Sequence, residues 1–99
     1  MAFLIVEGAQ LPPVYTLDSE LTSIVIPAGL FVHAITIVAT KQQYIDISQV
    51  SQGGTDIEEQ LELPEDESAT VAIHKRFDAG GTLYFAGYDE PISVTLYSE

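Results

Sequence analysis

Along most of this chain apolar residues fall on every second position, in short runs cut by Gly and Pro, and that period selects β-strands. Ile45 and Ile47 alternate with Tyr44, Asp46 and Ser48, while Ile57, Leu61 and Leu63 alternate with Glu58, Gln60 and Glu62. Leu83 and Phe85 alternate with Thr82 and Tyr84, and Ile92, Val94 and Leu96 with Ser93, Thr95 and Tyr97. Turn chemistry separates these runs at Gln52-Gly53-Gly54, Pro64-Glu65-Asp66, Asp78-Ala79-Gly80-Gly81 and Asp89-Glu90-Pro91. No window carries the 3.6-residue period of an amphipathic helix.

Further strands are expected over residues 2–7, 14–17, 22–26, 31–40 and 69–74, which brings the tally to roughly eight or nine. Most joins are too short for helical crossovers, so pairing is antiparallel, with longer connections passing between two sheets. The expected fold is all-β: an antiparallel β-sandwich, jelly-roll-like. At 99 residues the chain is one domain's worth.

Residues 1–13 read as either an N-terminal arm or the first strand, ahead of a sandwich domain over 14–99. Phe3, Leu4, Ile5 and Val6 form an apolar patch, and Gln10-Leu11-Pro12-Pro13 then stiffens and redirects the backbone. Residues 30–40 are apolar on both faces: Phe31, Ile35 and Ile37 on one, Leu30, Val32, Ala34 and Val38 on the other. Such a strand is either central, with a loop or the N-terminal segment over its second face, or has that face in a subunit contact.

Charge narrows the partners. Three Lys and Arg stand against fifteen Asp and Glu, a net charge of −12 that repels phosphate backbones. Nucleic acid is excluded as a partner on this argument, and so are anionic membranes, where basic segments supply about 1 kcal/mol per residue. Without Cys there is no disulfide framework, thiolate nucleophile or Cys-based metal site. The start Met1-Ala2-Phe3-Leu4-Ile5-Val6-Glu7 lacks a basic n-region and a long apolar run, so synthesis in a cytoplasm without a secretory signal or membrane span is expected.

Catalytic chemistry finds little support. His33 and His74 are the only imidazoles, each within a strand pattern; His33, flanked by Phe31 and Ile35, reads as a hydrogen-bonded core or interface histidine, and His74 as a strand end at the surface. Neither has a partner at metal-ligand spacing, and no nucleophile elbow accompanies the serines. Glu58 and Glu59 are adjacent and point to opposite faces; Glu58 and Glu62 share a face that reads as solvated exterior. Pro64-Glu65-Asp66-Glu67 raises calcium, without the spacing of an ion-binding loop. Gly53-Gly54 and Gly80-Gly81 read as corner glycines with positive φ. Tyr15, Tyr44, Tyr84, Tyr88 and Tyr97 read as strand-face or interface rings. No enzyme activity and no cofactor are expected.

The succession Ile26-Pro27-Ala28-Gly29-Leu30, an alternating strand to Ile37, Gly53-Gly54-Thr55-Asp56-Ile57, Lys75-Arg76-Phe77, then Thr82-Leu83-Tyr84 and a short closing strand resembles small β-domains in virion proteins of tailed bacteriophages. The resemblance is to head-fibre or capsid-decoration proteins of phages of Bacteroidetes hosts and spans residues 26–97. It implies a structural subunit without catalytic residues, homotrimeric, on the particle exterior, with other virion proteins such as the major capsid protein as partners. The subunit-interface candidates are Phe3, Leu4, Ile5, Leu30, Val32, His33, Tyr84 and Tyr88. A glycan- or calcium-binding β-sandwich module is the alternative.

Overall fold

The structure is a computed structural model and describes residues 13–98. The strand expected over 2–7 and the candidates Phe3, Leu4 and Ile5 lie outside the described residues. Eight strands follow one another: β1 (Val14–Leu17), β2 (Ser23–Ile26), β3 (Leu30–Ala39), β4 (Gln43–Ser48), β5 (Glu58–Leu63), β6 (Ser68–Phe77), β7 (Gly81–Ala86) and β8 (Ile92–Ser98). They form two four-stranded sheets, in the orders β1-β8-β3-β6 and β2-β7-β4-β5.

Both sheets come from one long antiparallel ribbon folded over on itself. β1 pairs with β8, β2 with β7, β3 with β6 and β4 with β5. Partner numbers add to 109 at Val14 and Thr95, to 107 at Ser23 and Tyr84, and to 105 at Ile47 and Glu58, so the ribbon's register slides only slightly from end to end. Pairing of β3 with β8 and of β4 with β7 then closes the ribbon into sheets. Eight antiparallel strands connected in this way are a jelly roll.

Alternation decides what lies between the sheets. In the first sheet Leu17, Ile92 and Ala39 stand side by side and point inward, as do Val94 and Ile37 in the next row and Leu96, Ile35 and Val71 in the one after. Ile24, Ile26, Leu83, Phe85, Ile45, Ile47 and Leu63 answer from the second sheet, all buried. Each of these Val, Leu, Ile and Phe side chains contributes roughly 1.5–3 kcal/mol when taken out of water.

At β3 the expected facing is corrected. Val32, Ile35, Ile37 and Ala39 point into the core, so Phe31 and Ile35 do not share a face, and Val32 and Ala34 do not either. The cause is a bulge at His33. Val32 pairs with Lys75 and Ala34 with Ala72, leaving Ile73 and His74 opposite the single residue His33. On the other side Val32 pairs with Ser98 and Ala34 with the adjacent Tyr97, so His33 is an extra residue relative to β8. An inserted residue reverses the facing of everything beyond it. His74 absorbs the excess on β6 with a φ of 50°, in the left-handed region.

A second bulge changes the reading of β5. Ile47 pairs with Glu58 and Ile45 with Leu61, and Gln60 takes a φ of 51°. Glu58 therefore lies on the side of Leu61, and Glu58 and Glu62 do not share the expected face. The Asp46 carboxylate accepts a 2.8 Å hydrogen bond from the Gln60 backbone N–H and so fastens the bulge to β4.

The glycine pairs divide their work. Gly80 takes a φ of 78°, whereas Gly81 is needed for space, because a Cβ there would come within 2.7 Å of the Phe77 ring. Only the first of the two is the corner glycine with positive φ that the turn chemistry suggests.

Candidate interaction surfaces

The register of the first sheet also fixes its outer face. Thr16, Ser93, Val38 and Ser68 form one outward row, Val14, Thr95, Thr36 and Thr70 the next, and Tyr97, Ala34 and Ala72 a third. The hydroxyl oxygens of Thr36 and Thr70 lie 3.3 Å apart, within hydrogen-bonding distance. Val14, Val38 and Tyr97 are among the exposed large hydrophobic side chains.

No Asp or Glu occurs in β1, β3, β6 or β8. The acidic residues sit elsewhere: Asp46, Glu58, Glu59 and Glu62 in the second sheet, and the rest of the described ones in loops. One end of the sandwich, where the loops after β1, β3, β5 and β7 gather, carries Asp18, Glu20, Glu65, Asp66, Glu67, Asp89 and Glu90 against Lys41. Lys75 and Arg76 lie toward the opposite end.

There the bulge at His33 and His74 assembles an aromatic and basic corner. Phe31 and His33 have ring centroids 4.9 Å apart, Phe31 and His74 5.8 Å, and His33 and His74 6.0 Å, all edge to face. Arg76, paired directly with Phe31, holds its guanidinium carbon 5.6 Å from that ring and donates a 3.0 Å hydrogen bond to the Gly29 carbonyl. Lys75 turns the other way: its Nζ lies 5.4 Å from the Phe77 ring and donates to the Gln49 side-chain oxygen at 2.8 Å. Together with Gln49, Val50 and Thr82, these two cations line an open groove of about 440 Å³.

At the acidic end a cleft of about 370 Å³ lies between residues 18–22 and 85–91. Asp18 builds one wall as an Asx turn, its carboxylate accepting 2.8 Å hydrogen bonds from the N–H groups of Glu20 and Leu21. The Leu21 and Glu20 N–H groups hold the Asp18 carboxyl below the usual Asp range. Tyr88 builds the other wall and donates its hydroxyl hydrogen to the Asp18 carbonyl at 2.8 Å. Burial, and secondly the Asp18 charge, push the Tyr88 phenol up. Buried Gln43 supports the floor by accepting from the N–H groups of Asp89 at 2.7 Å and Glu90 at 3.0 Å.

The loop between β4 and β5 is organised from one buried hydroxyl. Ser48 donates to Asp56 and accepts from the N–H groups of Val50 at 2.9 Å and Ser51 at 3.1 Å. The Ser48 hydroxyl, then the Gln49 N–H, hold the Asp56 carboxyl low. Gly54 packs against this hydroxyl so closely that a Cβ would lie 2.6 Å from it. Gln52 reaches back to donate to the Phe85 carbonyl at 2.7 Å.

The expected interface residues are scattered by this arrangement. Val32 lies wholly within the core, and Leu30 packs partly against it. Tyr88 is half-buried and tied to Asp18, Tyr84 lies half-buried in the second sheet, and His33 belongs to the corner beside Arg76. Thr16, Thr36, Thr70 and Thr95 were not singled out by sequence, although the absence of acid from their runs was readable there. Among the described residues no group of three or more His, Asp or Glu is placed to hold a metal ion. No helix in the described region is long and apolar enough to cross a membrane. Comparison with family models, curated proteins and solved structures finds no match for this chain.

Proposed function

We propose that this chain is a non-enzymatic structural subunit of a bacteriophage particle, of the capsid-decoration or head-fibre kind, that assembles with copies of itself and with other virion proteins. The observation that carries the assembly reading is the acid-free outer face of the β1-β8-β3-β6 sheet in a chain of net charge −12. A face without carboxylates is where such a chain can approach a neighbour without charge repulsion. The phage setting comes from the sequence resemblance. A place on the particle exterior suits it, because lining packaged DNA would set the protein's carboxylates against phosphates.

Native mass spectrometry and sedimentation from low to high micromolar concentration test the reading. A discrete homo-oligomer, a trimer on the resemblance, is the expected result. A strictly monomeric species that binds no capsid component contradicts it.

A second reading is favoured by the cleft at the acidic end. Its volume of about 370 Å³ lies within the range of small-ligand sites, and Asp18, Tyr88, Asp89 and Glu90 give it hydroxyl-binding polarity suited to a glycan. Glycan-array binding, or a rise in melting temperature with calcium or a sugar, would favour this module over the assembly subunit.

A further inference from the structure

We propose that a second copy of this chain docks on the outer face of the β1-β8-β3-β6 sheet, laid antiparallel across it, so that the Phe31 and Arg76 corner of each copy meets the acidic loops of the other. The inference rests on the reading that like copies assemble and names surface, partner and orientation; being two-fold, the contact closes as a dimer in place of the trimer that the resemblance implies.

Electrostatics selects the face. Two copies meeting through their second sheets would bring Asp46, Glu59 and Glu62 against the same groups. The rows of Thr16, Ser93, Val38 and Ser68 and of Val14, Thr95, Thr36 and Thr70 bring none. These rows offer short side chains whose methyl groups pack while their hydroxyls stay paired or wet. The exposed Val14, Val38 and Tyr97 add apolar area.

Electrostatics also selects the orientation. One end of this face is bordered by Asp18, Glu65, Asp66, Glu67 and Glu90, the other by Arg76 with His33 and His74 beside it. A parallel overlay would set acid on acid. A two-fold related, antiparallel overlay sets each Arg76 toward the partner's carboxylates, and both halves of the contact become complementary at once.

Four strands at ~4.8 Å spacing and about six residues of ~3.4 Å rise give a face roughly 20 Å on a side. That is about 400 Å² of flat area, half of the ~800 Å² per partner of a standard interface, which places the pair among weak, transient contacts unless the end loops extend it.

Because the chain has no cysteine, one introduced thiol is a unique probe. Thr36→Cys, near the middle of the face, is treated with a short bis-maleimide at high micromolar concentration, with Thr95→Cys as a second probe and Tyr44→Cys on the exposed face of the other sheet as control. Covalent dimer is expected from the first two and not from the control. Adding Arg76→Glu is expected to lower the yield at least threefold. Association of the wild type with cross-linking only through Tyr44→Cys overturns the surface and leaves the assembly reading standing. A Thr36→Cys thiol shielded from reagent in a monomeric species overturns the proposal too, because the face is then covered by residues 1–12 of its own chain. A monomer with a freely reactive thiol overturns the docking of like copies and, where it binds no capsid component either, removes the assembly reading itself.

Discussion

Arg76 stands directly opposite Phe31 in the β3 and β6 register, its guanidinium carbon 5.6 Å from the ring centre. The pair closes the one corner of the molecule where His33, His74 and a cation gather beside a face free of acid. Replacing Arg76 by Ala removes this cation–π contact and the hydrogen bond to the Gly29 carbonyl, with an expected cost of about 0.5–1 kcal/mol. Thermal unfolding checks it, as a drop of roughly 4–8 °C per kcal/mol for a domain of this size.

Ser48→Ala is expected to destabilise more, although it deletes one oxygen atom. The buried hydroxyl serves Asp56, Val50 and Ser51, and its loss strands polar groups at a cost of about 1–3 kcal/mol. Urea unfolding should show a lower midpoint with an unchanged slope, since the surface exposed on unfolding stays the same.

Phe85→Ala tests the core. The side chain is fully buried among residues of both sheets, and its truncation should cost about 3–5 kcal/mol by lost burial and the cavity left behind. Small domains carry roughly 5–15 kcal/mol in all, so circular dichroism should report partial unfolding of this variant at 37 °C.

The pH dependence follows from three groups. Asp18 and Asp56 are more acidic folded than unfolded, so the stability they contribute is present above the unfolded Asp pKa and is lost as pH falls through their folded values, below about pH 4. Asp56→Asn should flatten the acid limb of a stability-versus-pH curve. Tyr88 has the opposite sense: its phenol is raised in the folded state, so its contribution holds below about pH 10 and is lost as pH climbs through the folded value. Tyr88→Phe should remove that part of the alkaline loss.

Strand positions were legible because alternation is local. The periods around Ile45, Leu83 and Ile92 predict β4, β7 and β8. The facing of β3 was not, since the bulge at His33 is forced by pairing with Lys75 and Tyr97, residues far along the chain. For the same reason Val32 reads as an interface candidate until the slipped register turns it inward. The acid-free face needs β1, β8, β3 and β6 side by side, an order that follows from folding the ribbon and not from any stretch of sequence. Gly81 and Gly54 likewise look like turn residues until Phe77 and Ser48 press against them.

The central claim, that like copies meet through the uncharged face, is tested most directly by sedimentation equilibrium of Thr95→Glu beside Tyr44→Glu, the latter on the exposed face of the second sheet. Both variants add one negative charge, but only the first places it among Val14, Thr36 and Thr70. The account predicts that Thr95→Glu weakens self-association at least tenfold while Tyr44→Glu stays within about twofold of the wild type. Equal association constants for the two variants would contradict it.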